Sequence, residues 1–317
     1  HFNKLIKIYE KILSFNQKDI KTLYNLGSVY LFLGDIPKGK NFFEKIIKIN
    51  KNHVPSYRNF ISVTKIDKEN EIFKKLKLLN ENDFSNSDKI LLYDALSKGY
   101  FDQDKDQLAF EYLEKSNSLK KRNSKFSFEK TEIQFREIKK FFEKIDKIEI
   151  NFKDTLKSRP IFIIGMPRSG STLVESIISS GKLKIPNGGE TATINRSILK
   201  NSKKDLIIQD IEKIRIDKWL LKKDILYEYK NLDILKENKN YFFTDKSLEN
   251  FFYIDIILEL FPNAKFINCE RNKIDNIFAI YQNFLTKMTW AHSIENIIMY
   301  FNNYLNVMDY FYKKHKD

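Results

Sequence analysis

The chain has 317 residues, 42% hydrophobic and 31% charged, which excludes wholesale disorder and gives length enough for two domains with cores of their own. Its formal net charge of +14 is spread evenly: residues 1–150 carry 30 basic against 22 acidic side chains, and only 8 of the 56 basic residues are Arg, so no nucleic-acid partner is expected. One cysteine, Cys269, excludes an internal disulfide and a cysteine-rich zinc site and fits a reducing, cytoplasmic compartment, while no apolar run long enough for a membrane span and no secretory pattern are present.

Self-similarity organises the first half. Tyr9-Glu10-Lys11-Ile12-Leu13-Ser14-Phe15-Asn16 returns as Phe43-Glu44-Lys45-Ile46-Ile47-Lys48-Ile49-Asn50, an offset of 34 residues. Between the copies, Leu23, Leu26-Gly27, Tyr30 and Gly34 resemble the first-helix anchors and turn of the tetratricopeptide repeat. Gly27 lets paired helices approach closely, and Gly34-Asp35 ends the first helix through a left-handed cap. A degraded copy runs from Val54 to about Glu81, and a further helix pair from Leu91 to Lys98 and from Leu108 to Leu119. Each pair has an apolar face that only a neighbour can cover, so residues 1–120 are expected to stack into a curved all-α array. The resemblance implies a protein or peptide partner bound by that array. The charged, amphipathic stretch Phe126–Ile150 reads as one long helix within a linker at 121–157.

At residue 158 the pattern changes. Ile161-Phe162-Ile163-Ile164 is a short apolar run of the kind that forms a buried parallel strand. The loop Gly165-Met166-Pro167-Arg168-Ser169-Gly170-Ser171-Thr172 follows, and then the amphipathic segment Leu173–Ser180 closed by Gly181. Strand, glycine loop and helix together wrap backbone N–H groups round a phosphate at a helix N-terminus. The spacing Gly165-x4-Gly170 is that of the Walker loop, but Ser171 stands where its lysine belongs. Because that lysine serves β- and γ-phosphates, its loss argues against a conventional kinase and suits a ligand with a single 5′-phosphate. No aspartate ending a second apolar strand stands out as a magnesium ligand.

The run Arg159–Glu175 closely resembles the 5′-phosphosulfate loop of the sulfotransferases, with Ser171 for the usual threonine. Three further elements come in that family's order: Gly188-Gly189-Glu190-Thr191, the strand Tyr241–Asp245 followed by Lys246, and Leu260–Ile267 followed by Glu270-Arg271-Asn272. The resemblance implies an α/β phosphate-loop domain with a parallel sheet over 158–317, dependent on 3′-phosphoadenosine-5′-phosphosulfate and releasing adenosine 3′,5′-bisphosphate, with no metal. It assigns Glu190 as general base for the acceptor hydroxyl. Lys246 and Arg168 stabilise the departing phosphate, Gly165, Pro167, Arg168, Ser169, Gly170, Ser171 and Thr172 hold the 5′-phosphate, and Arg271 holds the 3′-phosphate. Glu175 reads as a helix-face residue and His292 as a capping-region side chain, next in line as base after Glu190.

Two features depart from the family pattern. Lys273 replaces a proline, and Ala279 occupies a serine position whose lost hydrogen bond to a phosphate is worth roughly 1.5–3 kcal/mol; Lys273 is the candidate substitute. The helical segment Ser293–Lys314 is followed by neither the further strand nor the closing loop of the family, so the domain is expected to be C-terminally incomplete. These departures keep a second function open, a non-catalytic interaction protein with a degenerate nucleotide-binding domain beside its repeats.

Overall fold

The computed structural model describes residues 2–145, 159–202, 218–232, 242–285 and 287–315. The chain divides into two compact units, residues 1–125 and 126–317.

The first unit is all helical: α1 (Phe2–Phe15), α2 (Ile20–Phe32), α3 (Ile36–Ile49), α4 (Val54–Ser62), α5 (Glu71–Lys77), α6 (Asn86–Phe101) and α7 (Asp106–Asn123). Local chemistry sets the helix ends. Asp19 and Asp35 accept from the backbone N–H groups of Thr22 and Lys38 and so cap α2 and α3, each cap worth about 1 kcal/mol. At the end of α2, Gly34 takes φ +83°. The Asp35 N–H donates to Tyr30 O and the Gly34 N–H to Leu31 O, the paired bonds of a Schellman turn, which is the left-handed cap expected there. A Cβ at Gly27 would lie 3.1 Å from Phe42 and from the Phe43 ring, so α2 and α3 pack as closely as the repeat requires. Phe43, Ile46, Ile47, Tyr57, Ile61, Phe73 and Leu76 form the common core along successive pairs. One polar cluster interrupts the apolar packing: Arg58 Nε donates to Asp94 Oδ2 at 3.0 Å, and Lys120 Nζ lies 3.9 Å from Asp94 Oδ1 with its side chain 4% exposed. Burial pulls the Lys120 ammonium down to about 8, with Asp94 pulling it back up and Arg58 adding to the lowering.

The second unit begins with α8 (Phe128–Ile145), which supplies most of the long helix expected from 126 to 150; residues 146–150 lie outside the described residues. Three strands follow, β1 (Arg159–Gly165), β2 (Phe242–Asp245) and β3 (Lys265–Cys269), with α9 (Ser171–Ser180), α10 (Thr193–Ser202), α11 (Lys218–Asn231), α12 (Ile254–Leu260), α13 (Lys273–Gln282) and α14 (Ile294–Lys314) around them. The sheet is parallel in the order β2-β1-β3, with Arg159 opposite Phe242 and Ile161 opposite Lys265. Central, doubly covered β1 explains its unbroken apolar run: Phe162, Ile163 and Ile164 are fully buried. Phe135 of α8 packs on Phe251, Phe252 and Tyr300, fastening that helix to the rest of the unit. The carboxyl ends of the three strands point to one edge of the sheet, where parallel α/β folds bind ligands.

Candidate functional site

The last residue of β1, Gly165, has φ +143°, and a Cβ there would meet the Cys269 carbonyl oxygen at 2.6 Å. Only glycine lets β1 turn out of the sheet this close to β3. The loop then winds through Arg168 at φ +64° to Gly170 at φ +98°, which caps α9. A non-glycine residue in that region costs about 1 kcal/mol, so the loop is held from outside. Asn276, buried in α13, donates from Nδ2 to Pro167 O at 2.8 Å, and Arg271 Nη1 donates to Arg168 O at 3.3 Å. The Ser169 hydroxyl is buried and without a hydrogen-bond partner among the described residues. An orphaned donor beside the free N–H groups of a helix N-terminus fits an anion.

The Gly-Gly-Glu segment lies along the far side of β2. The Thr244 N–H donates to Pro186 O at 3.0 Å and the Lys246 N–H to Gly189 O at 2.8 Å, while the Gly188 N–H reaches Thr244 Oγ1 at 3.1 Å. Two buried carboxylates tighten this seam. Glu175, 2% exposed, accepts at Oε1 from the Gly189 N–H at 3.0 Å and the Thr244 hydroxyl at 2.8 Å. Asp245, which ends β2, accepts from the Tyr229 hydroxyl at 2.6 Å, the Thr191 hydroxyl at 3.0 Å and the Ser247 N–H at 2.8 Å. Burial, and then the Asp245 charge, push the Tyr229 phenol well above its usual range, so it remains a donor. The strand expected over Tyr241–Asp245 does end in Asp245, and both oxygens of that carboxylate are engaged in positioning neighbours.

Glu190 and Lys246 face each other across the seam. Lys246 Nζ donates to Glu190 Oε1 at 2.6 Å, with the lysine side chain 7% and the glutamate side chain 70% exposed. Arg168, Ser169, Gly170, Ser171, Thr172, Glu190 and Arg271 line one cleft of about 900 Å³. Cationic groups, loop amides and a carboxylate thus share a single cavity. Pro167 lies in its wall and Gly165 behind it.

Lys273 points elsewhere. Its Nζ donates to Asn302 Oδ1 at 2.8 Å and lies 5.7 Å from the centre of the Phe301 ring; α14 draws it away, and neither it nor Ala279 borders the cleft. His292 is buried and likewise off the cleft. Cys269 is a free, buried thiol, raised by burial, which leaves it unreactive. Sequence reasoning missed Glu175, Asp245 and Asn276 as builders of the site. The one signal was Glu175 itself, a charge one turn beyond Ser171 in an otherwise apolar and hydroxyl-bearing helix.

Residues 160–316 match the family described as Sulfotransferase family, and residues 20–53 match the tetratricopeptide repeat. An uncharacterized protein of Aquifex aeolicus (strain VF5) is 27% identical over 305 residues, covering 92% of this chain and 39% of that protein. The chain thus spans less than half the length of that relative. Among the described residues no helix is long and apolar enough to cross a membrane.

Proposed function

We propose that this protein, whose C-terminal half is a sulfotransferase-family domain preceded by a tetratricopeptide repeat, takes a sulfuryl group from 3′-phosphoadenosine-5′-phosphosulfate and passes it to an acceptor hydroxyl. The observation that carries the reading is the shared cleft: the phosphate loop, Glu190 and Arg271 line it, and Lys246 is tied to Glu190 at its wall.

The roles follow from the bonds that must change. Glu190 takes the acceptor's proton as the new oxygen–sulfur bond forms. The sulfur–oxygen bond to the 5′-phosphate breaks, and its electron pair stays on that phosphate, where Lys246, Arg168 and the amides of Ser169–Thr172 stabilise the added charge. Arg271, beside the loop and exposed to the cleft, pairs with the 3′-phosphate. Lys273, held by Asn302, takes no part in this scheme. In the free protein Glu190 holds the Lys246 ammonium; a bound sulfate competes for that lysine and releases the carboxylate to act as base. The repeat unit supports a protein–protein role, and we propose that residues 1–120 bring a protein or other extended acceptor to the domain at 158–317.

Calorimetry tests the donor. The protein is expected to bind adenosine 3′,5′-bisphosphate without magnesium and more tightly than ATP, and Arg168→Ala is expected to weaken that binding. Equal or tighter magnesium-dependent binding of ATP would refute the assignment.

A further inference from the structure

We infer that Glu175 is a positioning residue which couples the phosphate loop to the base, an inference that rests on the transfer reaction proposed above. Glu175 sits one helical turn after Ser171 on α9, the helix whose N-terminus forms the phosphate loop, and faces away from the cleft into the interior at 2% exposure. One of its two carboxylate oxygens, Oε1, accepts both the Gly189 N–H and the Thr244 hydroxyl. Gly189 is the residue before Glu190, and Thr244 lies two residues before Lys246. One carboxylate therefore ties three separate pieces of chain: the anion-binding helix, the segment carrying the base, and the strand carrying the lysine.

Charge-assisted hydrogen bonds are the strongest available for this task, and a buried carboxylate left without its donors is costly, so α9 and the 188–190 segment move together. Gly189 takes φ +62°, and its carbonyl accepts from the Lys246 N–H at 2.8 Å. The Glu175 bond fixes the N–H side of that same peptide region. A bound phosphate that orders the start of α9 thereby orders Glu190 opposite Lys246. Glu175 touches neither donor nor acceptor and acts only through these contacts.

The test compares the full-length protein with Glu175→Gln and Glu175→Ala in three measurements: amide hydrogen exchange at Gly188 and Gly189 with and without adenosine 3′,5′-bisphosphate, affinity for that nucleotide, and its release from the phosphosulfate donor with a simple phenol as acceptor. In Glu175→Ala the Gly189 amide is expected to exchange about tenfold faster or more and to gain no protection from the nucleotide. Turnover at saturating donor falls about 30-fold or more while nucleotide affinity stays within about threefold. Glu175→Gln, which keeps an acceptor oxygen, restores most of both. Unchanged Gly189 exchange in Glu175→Ala, a turnover loss matched by lost nucleotide affinity, or a glutamine variant as impaired as the alanine one would each overturn the inference. Should Glu175→Ala not fold, Thr244→Val decides: it removes one donor to Glu175 and the acceptor for Gly188, so faster Gly188 exchange with an intermediate turnover loss is expected, and wild-type values would overturn the proposal. Failure of the wild-type protein to bind the nucleotide would refute the proposed reaction instead, and the exchange comparison on free protein would still judge the tether.

Discussion

Replacing Lys246 by methionine separates chemistry from stability. The side chain is 7% exposed and its partner Glu190 is 70% exposed. Methionine refills the space of the aliphatic stem. Glu190, hydrated on its open side, is not left as a buried unpaired charge. An ion pair with one such exposed member contributes about 0–1 kcal/mol, so the unfolding free energy from urea titration is expected to move by no more than about 1 kcal/mol. Removing a preorganised positive group from the departing phosphate is different in scale: such losses lower turnover about 10²–10³-fold, equivalent to about 2.7–4 kcal/mol at the transition state. Single-turnover measurement of bisphosphate release, beside calorimetry of bisphosphate binding, reads both numbers on one sample. Turnover within a few-fold of wild type would remove Lys246 from the mechanism. A stability loss above about 3 kcal/mol, with activity falling only in proportion to the folded fraction, would show the lysine to be structural.

Arg271→Ala should weaken binding of adenosine 3′,5′-bisphosphate about tenfold to a hundredfold while leaving adenosine 5′-phosphate nearly unaffected; undiminished selectivity in calorimetry would place the 3′-phosphate elsewhere. Asn276→Ala removes the bond to Pro167 O and should cost about 1 kcal/mol of nucleotide affinity through a looser loop, checked in the same titration. Gly165→Ala puts a Cβ 2.6 Å from the Cys269 carbonyl at a φ of +143°, and thermal unfolding should report a loss above about 2 kcal/mol, with wild-type stability contradicting the close approach of β1 and β3. Lys120 titrates near 8 in the fold against an ordinary 10.5. Between those pH values the unfolded chain binds more protons, so this group's contribution to stability rises with pH across that window. Urea unfolding followed by far-UV circular dichroism at pH 7.5 and 9.5 should show wild type gaining on Lys120→Met as pH rises, and a difference independent of pH would contradict the burial.

Local pattern made much of this architecture legible. The 34-residue offset announces helices whose caps at Asp19, Asp35 and Gly34 are sequence-local devices, and the apolar run 161–164 before a glycine loop announces β1 and α9 because a central parallel strand leaves no polar face. The family's order of motifs singled out Glu190, Lys246 and Arg271; Glu190 and Arg271 line one cleft, and Lys246 is held against Glu190 at 2.6 Å. What stayed hidden depends on partners far along the chain. Glu175 meets Thr244 and Asn276 meets Pro167 across 69 and 109 residues, and helical periodicity marks each only as belonging to one face of its helix. Lys273 shows the opposite failure: its position after Arg271 suggested a phosphate ligand, yet a flexible four-carbon stem goes where an acceptor lies, and Asn302 of α14 supplies one.

The sheet order sets a timetable for folding. In the first unit the principal contacts are short-range in the chain: α2 with α3, α3 with α4 and α6 with α7 are neighbours, and α4 with α6 are separated only by the short α5. That unit can form as it is made. β1 cannot pair until Phe242 has been synthesised, and its other edge waits for Lys265, so the second unit carries the slow, non-local part of the search. Both tryptophans, Trp219 and Trp290, belong to that second unit. Refolding should accordingly show helical circular dichroism recovering ahead of tryptophan fluorescence. On the ribosome the same order would complete the repeat array before the phosphate loop exists.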